Sequence, residues 1–361
     1  MIKLSGSWVA MPTPFDNNGK IDFAAFELMI ERQIAYGTSQ LFVLGSAGEV
    51  TLLSLEEKKE IVRRVIRIAN RRIPVFFGAS SLTTEQSVEF AQYCEAQGAD
   101  GVVFTVPPYV LIPQSALFPH FDACMGAVNI PCGIYNNPSR LGVNVNPETV
   151  YALSQAHPNY MVQKEAMPNV QQLVQIRRLC GDAVKIMCCD FPKYSIVIPT
   201  LAVGGTGTAN IGGNVIPEEV AAYSRPWTDM TIMEECRKEY FKWYPLLEEL
   251  YKLSNPIVLK AALKILGFPG CNLRRPYLDY AGEHYRYPAR NRKIWEPIPG
   301  SPPDLLNPPK GCPFVDRCPE AMEICLTHMP ESVQLSPTHS CACWMLHAYA
   351  NQKDATGAEH E

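Results

Sequence analysis

Eight short apolar runs, separated by stretches of helical character, fill the first 215 residues of this 361-residue chain. The runs are Trp8–Met11, Gln40–Leu44, Pro74–Phe77, Gly101–Thr105, Cys132–Tyr135, Tyr160–Lys164, Val184–Cys188 and Gly205–Thr208. Such alternation is the signature of repeated βα units. The intervening segments carry recognisable helix starts. Ser54–Glu57 is a capping-box pattern ahead of an amphipathic run in which Ile61, Val62, Val65, Ile66 and Ile68 share a face. Thr83–Gln86 repeats the device, Asn146-Pro147 supplies an N-cap and a proline at the first helical position, and Pro217 opens the last barrel helix in the same way. Eight strands fit a closed parallel barrel better than an open doubly wound sheet. No Gly-x-Gly-x-x-Gly turn follows the first strand, which weakens a dinucleotide-binding reading.

The expected fold is therefore α/β: a (β/α)8 TIM barrel, then C-terminal helices, then a small cysteine-rich metal-binding module. A barrel of roughly 250 residues fills most of the length. The expected boundaries are 1–225 for the barrel, 226–282 for its helical extension (helices at Met230–Leu253 and Pro256–Leu266), 283–310 for a proline-rich linker, 311–347 for the cysteine-rich module and 348–361 for a disordered tail.

Composition bounds partners and location. Hydrophobic residues make up 47% and charged residues 19%, as in an ordinary soluble globular protein. A net charge of -4 gives no electrostatic reason to expect nucleic acid or an anionic membrane. The longest apolar runs, Gly101–Pro108 and Ile196–Val203, are far too short to span a bilayer, and Met1–Pro14 lacks a basic start followed by an apolar core. The expected location is the cytoplasm. Of thirteen cysteines, Cys312, Cys318, Cys325, Cys341 and Cys343 crowd the C-terminal stretch. In a reducing compartment such a cluster reads as a metal site before it reads as disulfides.

In a barrel of this kind the active site lies at the C-terminal ends of the strands. Those ends carry GSAGE (Gly45–Glu49), Pro107-Pro108-Tyr109, YNNPSR (Tyr135–Arg140), Lys164-Glu165, Cys188-Cys189-Asp190 and Asn210. Lys164 closes a mostly apolar strand, so its stem should enter the barrel mouth. A free lysine is only about 0.04% neutral at pH 7; desolvation lowers its pKa and exposes the amine needed to form an imine with a ketone. A surface lysine, or one paired with Glu165, fits the same position. Tyr135 ends the neighbouring strand and can shuttle protons there, though a rim tyrosine in water is also common. The glycines flanking Ser46-Ala47 let backbone N–H groups approach a substrate carboxylate. Arg140 can hold a second carboxylate bidentately, or form a loop salt bridge. Tyr109 and Asn210 complete the set of candidate substrate-binding residues.

Taken together these segments resemble the dihydrodipicolinate synthase/N-acetylneuraminate lyase family of class I aldolases over about Leu4–Pro276. The resemblance rests on motifs in order: MPTPF at Met11–Phe15, GSAGE at Gly45–Glu49, YNNPSR at Tyr135–Arg140, KEA at Lys164–Ala166, GGTG at Gly204–Gly207 and NPI at Asn255–Ile257. It implies a Schiff base on Lys164, proton relay by Tyr135 with Ser46 beside it, and a 2-oxo acid carboxylate on the Ser46/Ala47 backbone. It also implies Arg140 on the carboxylate of an acceptor such as an aldehyde, a homo-oligomer (tetramer or dimer), and no cofactor for the lyase chemistry. Three departures bear on substrate. Ala47 replaces a second hydroxyl residue; Val110, with Tyr109 beside it, stands where the synthases place a tyrosine contributed to a neighbouring subunit; Cys188-Cys189 replace a small pair. They point away from lysine biosynthesis and toward a catabolic or specialised 2-oxo acid aldolase or dehydratase. The rival from another class is a catalytically impaired barrel serving as a 2-oxo acid sensor.

Cys312, Cys318, Cys325 and Cys343 form a C-x5-C-x6-C-x17-C spacing, fit for a [4Fe–4S] cluster or a zinc ion. The lack of a C-x2-C step favours the cluster. Residues Asn307–Met322 also resemble the C-terminal region of oligopeptide/dipeptide ABC-transporter ATPases, a region associated with a [4Fe–4S] cluster in some members. No Gly-x-x-x-x-Gly-Lys-Ser/Thr occurs, so ATP hydrolysis is not implied. A structural metal staple and a redox or Lewis-acid cluster both fit this module.

Overall fold

A computed structural model of the protein describes residues 4–277, 310–315, 318, 321–336 and 339–346. The chain divides into two compact units, Met1–Tyr280 and Ala281–Glu361. In the first, eight parallel strands close into a barrel. In chain order the elements are β1 (Gly6–Ala10), α1 (Phe23–Ala35), β2 (Gln40–Val43), α2 (Leu55–Ala69), β3 (Val75–Gly78), α3 (Thr84–Gln97), β4 (Gly101–Phe104), α4 (Gln114–Gly126) and β5 (Cys132–Asn136). There follow α5 (Pro138–Leu141), α6 (Pro147–Ala156), β6 (Tyr160–Glu165), α7 (Val170–Cys180), β7 (Lys185–Cys188), α8 (Val197–Ala202), β8 (Gly207–Asn210), α9 (Pro217–Tyr223), α10 (Met230–Leu250) and α11 (Ile257–Ile265). Every expected strand is present, with ends shifted by one or two residues.

The strands are apolar almost throughout because both of their faces are buried: one fills the barrel, the other meets the surrounding helices. Pairing registers decide which residue goes where. Tyr135 lies level with Lys164, and Lys164 with Met187, so these three face the interior. Asn136, Glu165 and Cys188 form the next row and face the helices.

The helix starts follow the sequence closely, with one exception. Ser54 and Glu57 cap α2 reciprocally, and the α2 stripe buries Ile61, Val62 and Val65 while Ile66 and Ile68 stay half-buried at its edge. Thr83 accepts from the Gln86 N–H at the start of α3. Asn146 precedes Pro147 but makes no side-chain cap; its Oδ1 instead accepts from Asn144, part of a polar cluster behind β5 and β6.

In the second unit the described residues include α12 (Glu323–Thr327) and an antiparallel hairpin of β9 (Ser332–Ser336) with β10 (His339–Ala342). The Cys312 N–H donates to the Cys325 carbonyl. Nearly all of the expected linker at 283–310, and the expected tail at 348–361, lie outside the described residues. No helix among the described residues is long and apolar enough to cross a membrane.

Candidate active site

Lys164 sits at the mouth of the barrel, only 6% exposed. Its Nζ lies 4.0 Å from the centre of the Tyr135 ring and 4.8 Å from that of Phe42, and no hydrogen bond or ion pair among the described residues holds it. Desolvation lowers its pKa to about 8, against the opposing pull of Cys189 and Asp190. At that value roughly 10% of the amine is neutral at pH 7. Pairing with Glu165 does not occur, because adjacent residues of a strand project to opposite faces. Glu165 points outward and accepts from Gln163, Asn136 and Gln172 at 2.5, 3.0 and 3.1 Å. Burial there raises its pKa to about 7.

The Tyr135 phenol is buried and pushed up to about 12 by desolvation. Its oxygen accepts from Asn137 Nδ2 at 2.7 Å, and the Ser46 hydroxyl lies close enough to act on it as well. Burial thus favours the protonated phenol, the form able to donate a proton. Lys164, Tyr135, Ser46, Arg140 and Cys189 line one cavity of about 380 Å³, together with Tyr194 and Tyr251. A second cavity of about 780 Å³ shares Ser46, Tyr135, Asn137 and Arg140 and extends over α2 and α3.

The Gly45–Glu49 turn is tightly built. A Cβ on Gly45 would fall 2.7 Å from the Phe42 ring, and one on Gly78 would fall 2.3 Å from the Leu44 carbonyl, so glycine is required at both. The turn closes through the Gly48 and Glu49 N–H groups. Ala47 is fully buried beneath it. Glu49, in the left-handed region at φ 52°, is anchored by a buried ion pair to Lys260 of α11 at 2.5 Å, and accepts from the Arg274 N–H at 3.0 Å.

The dihydrodipicolinate synthetase family pattern matches residues 3–291. The chain belongs to that family. It is 36% identical over 271 residues to a 4-hydroxy-tetrahydrodipicolinate synthase of Geobacter metallireducens, covering 75% of this chain and 91% of the relative. A Clostridium perfringens protein of the same name is 32% identical over 274 residues, with coverage of 76% and 92%. Among solved structures, the dihydrodipicolinate synthase of Aquifex aeolicus superposes with a TM-score of 0.73 at 30% identity, covering 76% of this chain and 92% of the other. That of Acinetobacter baumannii, solved with pyruvate, gives 0.74 at 27% identity, with coverage of 80% and 97%. A second pattern, the oligopeptide/dipeptide transporter C-terminal region, matches residues 272–325 and so stops short of Cys343.

As a dihydrodipicolinate synthetase family member the chain is a lyase of the Schiff-base type. Two candidate substrate contacts fall elsewhere. Asn210 shares the outward row of β8 and β1: its Nδ2 donates to Ser7 Oγ at 2.9 Å and its Oδ1 accepts from the Gly213 N–H, while Ala209 and Ile211 face the cavity. Tyr109, at φ 77°, is 93% exposed and lines neither cavity. Arg140 lines both cavities, its Nη2 3.5 Å from the Asn255 carbonyl. Of the cysteine pair, only Cys189 faces the cavity; Cys188 belongs to the outward row.

The sequence reading missed Asn137, Ser139, Tyr194 and Tyr251. Asn137 and Ser139 stand inside the YNNPSR motif, which is their signal in the sequence. Tyr194 and Tyr251 carry no local signal; the fold alone brings them in.

Among the described residues no group of three or more His, Cys, Asp or Glu side chains stands together as a metal site.

Proposed function

We propose that the Lys164 amine adds to the C2 carbonyl of pyruvate or a related 2-oxo acid. The nitrogen–carbon bond forms as the C2=O π bond breaks, and one proton passes from the nitrogen to the former carbonyl oxygen to give the carbinolamine. Tyr135 then protonates the departing hydroxyl, which leaves as water and yields the imine. Loss of a C3 proton gives the enamine, whose carbon attacks an aldehyde; retro-aldol cleavage is the reverse. The N–H groups of Ser46 and Ala47 receive the 2-oxo acid carboxylate, and Arg140 receives an anionic group of the acceptor. The observation that carries this reading is an amine walled by two aromatic rings, without a counter-ion, level with a buried phenol.

Borohydride reduction in the presence of pyruvate should add the mass of the reduced adduct to Lys164. The absence of an adduct with any 2-oxo acid in a panel would overturn the proposal and leave a binding or sensor role. Imine formation should rise about tenfold per pH unit below pH 8 and level off above it, because only the neutral amine attacks. A rate flat from pH 6 to 9 would contradict a desolvated nucleophile. Tyr135→Phe should slow turnover by roughly 10²–10⁴-fold while leaving the 2-oxo acid bound.

The proposed assembly is a homo-oligomer, supported by the apolar loop of Tyr109, Val110 and Leu111, which is 93%, 53% and 62% exposed in the single chain. Light scattering that finds only monomer would oppose it. For the C-terminal module the spacing of Cys312, Cys318, Cys325 and Cys343 supports a [4Fe–4S] cluster, with a zinc ion as the alternative. Iron, sulfide and zinc analysis after anaerobic purification decides the matter: iron and sulfide near four equivalents each establish the cluster, zinc alone a structural ion, and neither a metal-free module.

A further inference from the structure

Asn137 spends both ends of its amide on named partners. Its Nδ2 donates to the Tyr135 oxygen at 2.7 Å, and its Oδ1 accepts from Ser139 Oγ, also at 2.7 Å. Ser139 Oγ in turn meets the Tyr194 hydroxyl at 2.5 Å. A serine hydroxyl has a single hydrogen, which here goes to Asn137, so Tyr194 must be the donor to Ser139. Every hydrogen in the row therefore points the same way: Tyr194 to Ser139, Ser139 to Asn137, Asn137 to Tyr135.

From this geometry we infer that Asn137, locked by Ser139 and Tyr194, is a positioning residue that aims the Tyr135 proton into the reaction cavity. The inference rests on the Schiff-base reading above. With an N–H aimed at its oxygen, the phenol cannot use Asn137 as an acceptor, and its own hydrogen is left for Ser46 or for substrate. Once that proton has been given up, the same N–H stabilises the phenolate. A reversed amide would present Oδ1 to the phenol and draw the catalytic proton away from the cavity. In the reversed arrangement Ser139 would donate to the Tyr194 oxygen instead, and loss of the Asn137 side chain would then move the Tyr135 ionisation downward, not upward. Donors aligned from Tyr194 toward Tyr135 polarise one another, which strengthens the final bond to Tyr135.

Asn137 is 4% exposed, Ser139 stands in α5, and Tyr194 is held on the turn after β7 by an edge-on contact with Phe191 at 4.6 Å between ring centres. The amide donor also acts to lower the phenol's affinity for its proton. The whole row lies within one subunit. It does not depend on Tyr109 or Val110, the positions at which the family resemblance expects help from a neighbouring subunit.

The test is kinetic and spectroscopic. Asn137→Val removes the donor at nearly constant volume. It should lower kcat by about 10- to 100-fold, as a fraction of a full acid–base contribution, with KM for pyruvate within about twofold. Ultraviolet titration against Tyr135→Phe should show the Tyr135 ionisation moved upward. Ser139→Ala and Tyr194→Phe should give smaller losses in the same direction, and Ser139→Thr, which keeps the hydroxyl, should restore activity. An Asn137→Val protein with unchanged kcat and an unmoved phenol titration would overturn the inference. So would a fall in kcat without any change in the titration, the mark of a packing defect. Should Asn137→Val fail to fold, Ser139→Ala and its threonine counterpart carry the same comparison. A wild-type protein that gives no borohydride adduct overturns the Schiff-base reading instead, while the titration still reports on Asn137.

Discussion

Substitution of Lys164 by alanine is expected to abolish turnover and the borohydride-reducible adduct together. The loss should be on the order of 10⁴-fold or more, since removing a covalent nucleophile leaves only binding and electrostatic contributions. The fold should survive. Among the described residues the amine has no ion pair or hydrogen bond to lose, and its removal spares the desolvation that lowers its pKa to about 8. Thermal unfolding of Lys164→Ala at or above the wild-type midpoint, alongside loss of the adduct, is the expected pairing of results. Retention of more than about a hundredth of the wild-type rate would mean that another group performs the addition. Lys193, which lines the same cavity, would then be the next candidate.

The second large effect concerns stability. Lys260 and Glu49 are 2% and 0% exposed at their side chains, and their ion pair joins the helical extension to the Gly45–Glu49 turn. Lys260 Nζ also donates to the carbonyls of Thr13 and Asn272, both at 2.7 Å, and sits 4.3 Å from the centre of the Phe15 ring. Lys260→Met should cost about 3–5 kcal/mol, because it strands Glu49 as an uncompensated charge in a dry interior. Pairing it with Glu49→Gln should recover a good part of that loss, since the penalty comes from the stranded partner more than from the missing attraction. Chemical unfolding of the two single variants and the double variant measures the coupling. A double variant as unstable as the sum of the singles would show that the two residues act independently. In whatever fraction of Lys260→Met remains folded, KM for the 2-oxo acid should rise, because Glu49 sets the conformation of the turn that offers the Ser46 and Ala47 N–H groups.

Legibility in the sequence followed the range of the forces involved. The strands were readable because each is a short apolar run between helix signals, and burial on both faces demands that composition. The α2 cap was readable because Ser54 and Glu57 settle it between themselves. Asn146 failed as a side-chain cap for a tertiary reason: Asn144, itself bonded to Asn136 and Gln172, claims its oxygen. Lys164 and Tyr135 could be placed at strand ends, but not side by side, until the β5–β6 register set them level. Asn210 shows the converse. Its strand-end position suggested the cavity, yet a period of two put it on the outer row beside Ser7.

By itself the sequence determined the repeated βα pattern and the family, and it singled out Lys164 and Tyr135 at neighbouring strand ends. Those properties depend on local composition and on residues close together in the chain. Only the tertiary structure decided that the Lys164 amine is buried and unpaired among the described residues, that Cys189 and not Cys188 meets the cavity, and that Tyr194 reaches the Tyr135 phenol through Ser139 and Asn137. Barrel closure and strand register bring together groups far apart in sequence, and desolvation exists only once those groups surround one another.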